Sequence, residues 1–318
     1  MPDRDLHLVT GATGFVGSAL TERLLARGER VRVLARPTTD AGRLVERGAE
    51  IHRGDLNDPR SLEAAVEGVS CIHHLGDIGM RVKDAGRKNV AAVAALARAA
   101  RGQAGFRRFV FLSSLTTVSV PERLPADEET PVDARRLVDD YYTRYKRGCE
   151  AALRESGVPA SVVRAGTIYG PGAAYLSKFI ALCARLRFVP CVGRLDVRLA
   201  TIHVADLVHV LDAAARYSGD ACRTFHAVDD AAGSVREFLA RAARAAGVRV
   251  RFWDPPLSLQ KALGAVLDPL IALRLPGRNL EAMIRYMSFE QRFSNRRIKE
   301  ELGVALRFPL WDDLTNRR

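Results

Sequence analysis

The stretch that most constrains this chain is residues 6 to 17, Leu-His-Leu-Val-Thr-Gly-Ala-Thr-Gly-Phe-Val-Gly, an apolar strand running into three glycines spaced three apart. Leu6, Leu8 and Val9 suit a short buried strand. From Phe15 onward, Val16, Leu20, Leu24 and Leu25 recur at helical spacing. The chain must turn sharply between the two elements. Gly11 suits the backbone angles of such a turn, Gly14 lets a pyrophosphate approach the main chain, and Gly17 lets helix and sheet pack closely. The helix N-terminus then faces a phosphate with free N–H groups and the positive end of its dipole. Three glycines alone also serve ordinary turns, so the weight falls on the strands and helices beyond them.

Strand and helix patterns alternate for the next hundred residues. Arg30 to Arg36 alternates as a strand, Glu50 to Leu56 gives a third short strand, Pro59 to Val66 a helix, and Ser70 to Gly76 a fourth strand. Residues 88 to 101 form an alanine-rich helix and Arg108 to Ser114 a fifth strand. This alternation predicts an α/β fold, a doubly wound parallel sheet with helices on both faces. A smaller, mostly helical C-terminal substrate domain is expected after it. The dinucleotide domain is placed at 1–172 with 201–232 returning to it through a strand near Phe225, and the substrate domain at 173–200 and 233–318.

The ends of the strands carry the candidate binding residues. An acidic residue closing the second strand would bind adenosine ribose hydroxyls, whereas an arginine accommodates a 2′-phosphate. Arg36 therefore favours NADP(H), with NAD(H) the alternative and Arg32 a lesser helper; a solvated surface arginine is the plainer reading. Asp55 is placed to meet an adenine amine, and Leu75 and Gly76 lie where open α/β sheets bind ligands. His73 and His74 point to opposite faces of one strand, which favours packing over metal binding. No metal is expected.

Net charge is +12, yet only six of the 49 basic residues are lysine and the arginines are scattered through every segment. No aromatic and basic patch of a nucleic-acid reader stands out, so a nucleic-acid partner is not expected. The five cysteines have no metal-ligand or CxxC spacing, which suits reduced thiols. With no secretory apolar region and no run near the roughly 20 residues that span a bilayer, a cytoplasmic protein without an integral membrane segment is expected.

The fifth strand delivers Ser113 and Ser114 to the edge that holds the glycine turn. Farther on, Tyr142 and Lys146 stand four apart on a helix and so share one face. An ammonium beside a phenol favours the phenolate, and an oxidised nicotinamide adds a second positive influence, so Tyr142 is expected to titrate below about 10. Such a tyrosine can exchange a proton with a carbonyl or alcohol while Ser114 bonds the same oxygen. Tyr141 and Tyr145 are rivals without a lysine four residues later.

Together these residues resemble the extended short-chain dehydrogenase/reductases, the NAD-dependent epimerase/dehydratase family with its Rossmann fold. The resemblance runs through Thr10 to Gly17, Gly54-Asp-Leu56, Ser113-Ser114, Tyr142 with Lys146, Val163 to Gly172, Ile202 to Leu207 and a closing helix within 293–303. It implies Tyr142 as catalytic acid/base, Lys146 as its tuner and ribose ligand, and Ser114 as the donor to the substrate oxygen. The serine register can slip by one, which puts Leu115 in the slot and leaves Thr116 as a fallback hydroxyl. The implied cofactor residues are Gly11, Thr13, Gly14, Phe15, Val16, Arg36, Asp55, Leu56, Leu75, Gly76, Ser113, Tyr142, Lys146, Ala165, Gly166 and Ile168, where Ala165 replaces a proline found in many members. Met80, Thr116 and Tyr169 are candidate substrate contacts, and the segment from Asp77 to Arg87 is expected at the substrate entrance.

The apolar stretch 255–276 is similar to the 3β-hydroxysteroid dehydrogenase and dihydroflavonol reductase branch, where this region encloses an apolar substrate. It also reads as an ordinary core helix or as a peripheral membrane contact. The expected activity is NADPH-dependent reduction of a ketone or aldehyde, reversible as alcohol oxidation, by an oxidoreductase that forms a homodimer. A sugar-nucleotide epimerase or dehydratase holding NAD tightly is the main rival, and a non-catalytic NADP(H) sensor a further one.

Overall fold

The computed structural model describes residues 5–79, 82–131, 140–186, 188–219, 221–274, 280–308, 311 and 314. Strand β1 (Leu6–Thr10) leads through the glycine turn into α1 (Phe15–Ala26), and β2 (Arg30–Ala35), α2 (Gly42–Glu46), β3 (Glu50–Arg53), α3 (Pro59–Val66), β4 (Cys71–His74), α4 (Ala85–Arg101) and β5 (Arg108–Ser114) come after it. Next come α5 (Tyr141–Ser156), β6 (Ala160–Ala165), β7 (Thr167–Tyr169), α6 (Ala174–Leu186), β8 (Phe188–Pro190), β9 (Thr201–His203), α7 (Val204–Ala215) and β10 (Cys222–Ala227). Helix α8 (Val235–Ala245), β11 (Arg251–Trp253), α9 (Leu257–Arg274), α10 (Leu280–Tyr286) and α11 (Arg296–Glu300) complete the described elements.

Seven strands form one parallel sheet in the order β10-β6-β5-β4-β1-β2-β3. Helices cover both faces, which is why β1 and β4 are buried along their whole length. On one face Leu20, Leu24, Leu207 and Leu211 of α1 and α7 share a core with Val9 and Val33. On the other, Leu62, Leu96 and Leu153 of α3, α4 and α5 pack on Leu8 and Phe109. The strand order reverses between β1 and β4, so a crevice opens beyond their carboxyl ends.

Local chemistry sets the helices that frame that crevice. Pro59 begins α3 behind the Asp58 cap, whose carboxylate accepts from Arg60 N at 3.1 Å. Asp140 caps α5 by accepting from Thr143 N at 2.7 Å. Helices α4 and α5 approach closely because Gly148 has no Cβ; one there would stand 2.8 Å from Val90 Cγ2.

A third cluster holds Tyr169, Leu176, Ile180, Phe238 and Trp311 under α6 and α8, beside the short parallel pair β8–β11. Strand β10 pairs with β6, so residues near Phe225 do return to the large sheet. The closing segment departs from the expected division at 233–318. Ile298 and Val304 pack into the core of α1 and α7, because α11 lies against β10.

Candidate active site

The glycine turn is built by close backbone contact. Gly11 has φ 72°, and a Cβ there would stand 2.6 Å from Gly76 Cα and N. The main chains after β1 and β4 therefore touch at the switch point. Gly14 N–H donates to Gly11 O at 2.9 Å, and Gly14 precedes α1 with no side-chain cap and no acidic residue in the first turn. A Cβ on Gly17 would strike the Gly11 carbonyl, so Gly17 serves the turn itself more than the packing of helix on sheet. Thr13 is exposed, whereas Phe15 and Val16 pack into cores. Contacts from those two residues to a ligand fall to their main chain.

A cleft of about 160 Å³ gathers Gly11, Thr13, Arg36, Asp55, Leu56 and Gly76. Arg36 is exposed, and no hydrogen bond or ion pair to its guanidinium is made among the described residues. Arg32 is engaged elsewhere, donating to Glu50 Oε1 at 2.7 Å and to the Ala65 and Glu67 carbonyls. The Asp55 carboxylate accepts from Asn57 N and Nδ2 at 2.8 and 2.9 Å. Thr10 Oγ1 accepts from Gly76 N at 3.2 Å and lies 2.8 Å from His74 Nδ1, which fixes the chain as it leaves β4. Leu75 and Ile168 pack against the α1 and α7 core, and Leu56 against the opposite one.

At the other side of the switch point Ser114 is paired in register with Ala165. Ser114 Oγ accepts from Thr116 N and Thr116 Oγ1 at 3.3 and 3.2 Å, while Leu115 is fully buried in a separate core. The backbone thus turns Ser114 and Thr116 together and Leu115 away. Ser113 Oγ donates to the buried Glu150 carboxylate at 2.6 Å, so this hydroxyl is committed to the interior. Beyond Ala165, a Cβ on Gly166 would stand 2.7 Å from Ala200 O, which forces glycine where β6 leads into β7.

Tyr142 and Lys146 share a face of α5, with Nζ 5.7 Å from the Tyr142 ring centroid. Lys146 Nζ donates to Leu112 O at 2.7 Å and lies 4.8 Å from the Phe111 ring centroid. Burial lowers the ammonium's pKa. Burial pushes the Tyr142 phenol up to about 12, against a lowering hydrogen bond with Ser114 and with further raising by Asp77 and Asp140; the lowering expected beside an oxidised nicotinamide belongs to the loaded site. Lys146 Nζ is thus held by the Leu112 carbonyl and lies near the Phe111, Tyr142 and Tyr145 rings. Tyr145 donates to Asp77 Oδ2 at 3.2 Å and is buried, and Tyr141 lies against Gly86 of α4.

Tyr169 is corrected from pocket wall to core. It is 0% exposed, meets His203 and Phe238 edge-on, and accepts from Trp311 N at 3.0 Å. Met80 lies outside the described residues. His73 and His74 do face opposite ways, yet His73 meets His7 at 3.0 Å and Cys71 at 3.8 Å, a trio of potential metal ligands. Burial drives His73 down to about 3, so its ring is a neutral member of the interior.

Two neighbours of Tyr142 come from outside its own helix. Asp77 directly follows Leu75-Gly76 and lines the cleft, so its place at a strand end was a usable signal. Tyr286, at the end of α10, has its phenol raised by burial and by the nearby Tyr142 and Asp140. Only tertiary packing brings it there.

A crevice with a bare glycine turn at the switch point of a parallel sheet is the arrangement of a dinucleotide-binding α/β protein. The chain belongs to the NAD dependent epimerase/dehydratase family, whose model matches residues 7–227. It is 34% identical over 207 residues to a ceramide reductase of Caulobacter vibrioides, covering 64% of this chain and 58% of that one. It is 30% identical over 270 residues to the (4-alkanoyl-5-oxo-2,5-dihydrofuran-3-yl)methyl phosphate reductase of Streptomyces griseus, covering 83% of each. The crystal structure of gox2253 superposes with a TM-score of 0.76 at 27% identity, covering 95% of this chain and 94% of that one. The chain spans about half the length of the first curated relatives it matches, 52%, 58% and 40%. No helix among the described residues is long and apolar enough to cross a membrane.

Proposed function

We propose that the protein is an NADPH-dependent reductase of a ketone or aldehyde on a relatively apolar small molecule, running in reverse as an alcohol dehydrogenase. The observation that carries this reading is the meeting of Ser114, Tyr142 and Lys146 at the sheet edge that also bears the glycine turn. Reductases among the relatives, named for ceramide and for an alkanoyl-furanone phosphate, support the reaction class.

The residues fit a dinucleotide. Gly11 and Gly76 leave no side chain where the two strand ends touch, the first turn of α1 is uncapped by a side chain, and Arg36 is available to a 2′-phosphate. Asp55 and Leu56 would border the adenine end, with Leu75, Ala165, Gly166 and Ile168 toward the nicotinamide. Ser113 would contribute its main chain, since its hydroxyl is held by Glu150. When bound, NADPH supplies the hydride. Ser114 holds the substrate oxygen, with Thr116 bonded behind it, and Tyr142 delivers the proton to that oxygen. Lys146 positions the cofactor ribose and relays the replacement proton. We place the substrate domain at 173–200 and from 233 up to the closing helix α11, and the homodimer contact on α4 and α5, where Gly86, Val90, Tyr141 and Tyr145 line a cleft of about 400 Å³.

Titration of the purified protein with NADPH and NADH, and then a screen of ketones of graded polarity, tests the reading. Tighter NADPH binding and oxidation of NADPH by apolar ketones are expected. Tightly held NAD and no net NADPH oxidation with any carbonyl would assign it to the epimerases instead. Arg36→Ala should erase the preference for NADPH, and an unchanged preference removes Arg36 from the argument.

A further inference from the structure

Helix α9 lies on the protein with its amphipathicity reversed. Gln260 is 5% exposed and Gly264 is buried against Ile284 and Leu280, while Leu259, Leu263, Val266 and Leu267 are 45%, 37%, 69% and 41% exposed. The outward residues recur at i, i+4, i+7 and i+8, which makes a single stripe. A surface helix ordinarily turns such a stripe to the core. Here the opposite orientation is pinned by specific bonds. Gln260 accepts from Gly193 N at 2.8 Å and donates to the Gly193 and Pro255 carbonyls at 2.9 Å, and Asp268 accepts from Leu280 N at 2.7 Å. Rolling the helix to bury its leucines breaks all four.

The charges around the stripe select its partner. Residues 249–285 carry six Lys or Arg and three Asp or Glu. Of the acids, Asp254 is paired with Arg236 and Asp268 is bonded within the fold. Lys261, two residues from Leu259 and Leu263 and so on the other side of the helix from them, is exposed, as are Arg251 of β11 and Arg285 of α10. Trp253, 49% exposed, precedes the helix and suits a polar–apolar boundary. A second copy of this chain, with net charge +12, would bring like charges together on this face.

We propose that α9 docks the protein on an anionic lipid surface, lying in the headgroup region with Leu259, Leu263, Val266 and Leu267 turned to the acyl boundary. An apolar stripe and an excess of basic residues in its neighbourhood are the two contributions such a helix needs. The docking does not rest on the assigned reaction, although α9 packs on α10, whose last residue Tyr286 adjoins Tyr142.

Flotation of the full chain with phosphatidylcholine vesicles, with and without about 30 mol% phosphatidylglycerol, tests the proposal. The protein should float with the anionic vesicles and be released as salt is raised. Val266→Asp, at the most exposed position, should weaken that partition about tenfold or more while leaving the melting temperature and NADPH binding unchanged, and Lys261→Glu should weaken it by less. No flotation of the wild type overturns the proposal, as does undiminished flotation of Val266→Asp. A solution dimer that Val266→Asp converts to a monomer gives the stripe to a second copy and overturns it as well.

Discussion

A phenol acts as a general acid only while it keeps its proton, and burial holds the Tyr142 proton up to a pKa of about 12. Ketone reduction should therefore vary little between about pH 6 and 9, whereas alcohol oxidation, which needs the phenolate, should climb as pH rises over the same range. Initial rates in both directions across pH check this; a flat oxidation profile counts against Tyr142 as the base. Tyr142→Phe should cut turnover by at least about a hundredfold and leave NADPH affinity unchanged. Near-normal turnover in that variant would remove the assignment. The spacing of Tyr142 and Lys146 puts them on one face of a helix, whereas Ser114 is told from Leu115 only by the backbone that turns Leu115 into the core. Their protonation was not legible, because it depends on Lys146 turning to the Leu112 carbonyl and on Asp77 arriving from another strand. Tyr169 escapes a sequence reading for a related reason: spacing places it at a strand end, and packing with Trp311 and Phe238 buries it.

At the scale of elements, Glu150 ties α5 to the sheet. Its carboxylate accepts from Ser113 Oγ of β5 at 2.6 Å and from Arg164 of β6 at 3.0 and 2.7 Å, and Ser113 and Arg164 are neighbours in register. Glu150 is four residues beyond Lys146, so the tie fixes the helix face that carries Tyr142 opposite Ser114. Burial raises this carboxyl, but Arg164 and Ser113 outweigh it and bring it down to about 2. A depressed carboxyl contributes stability above its unfolded pKa and loses it as pH falls through the folded value, here from the ordinary range of about 4.5 toward 2. Glu150→Gln, which leaves the Arg164 charge buried without its partner, should cost about 3 kcal/mol at pH 7. Denaturant unfolding measures the loss, and a change under about 1 kcal/mol removes Glu150 as the anchor. The helix was readable from Tyr142, Lys146 and their neighbours, and Pro59 marked the start of α3. The face presented by α9 was not readable, since periodicity finds the stripe but cannot tell which side the bonds of Gln260 hold down.

Across the whole molecule, the large sheet and the smaller unit meet at a buried junction rather than through a linker. Thr201 of β9 donates to Asp229 Oδ2 at 2.6 Å, just beyond β10, and accepts from Trp311 Nε1 at 3.1 Å. Trp311 N in turn donates to the Tyr169 hydroxyl at 3.0 Å. Four distant stretches of sequence converge there, which is why alternation of strands and helices predicted the sheet but not how its partner is attached. Burial pushes Asp229 up to about 6, only partly offset by the Thr201 hydrogen bond. A carboxyl raised in the folded state favours folding while it is protonated, and that contribution is fully present below the unfolded pKa near 4 and lost as pH rises through about 6. The shift corresponds to about 3 kcal/mol between the two limits. Buried His73, His74 and His226, each lowered to about 3, act with the opposite sign and lose stability as pH falls. The overall melting profile mixes both trends, so the comparison that isolates Asp229 is between wild type and Asp229→Asn at two pH values. Asparagine can still accept from Thr201 and carries no charge at either pH. Relative to wild type, the variant should therefore melt higher at pH 8 than at pH 5, by several degrees more, and calorimetry that finds the same difference at both pH values would separate Asp229 from the stability of the junction.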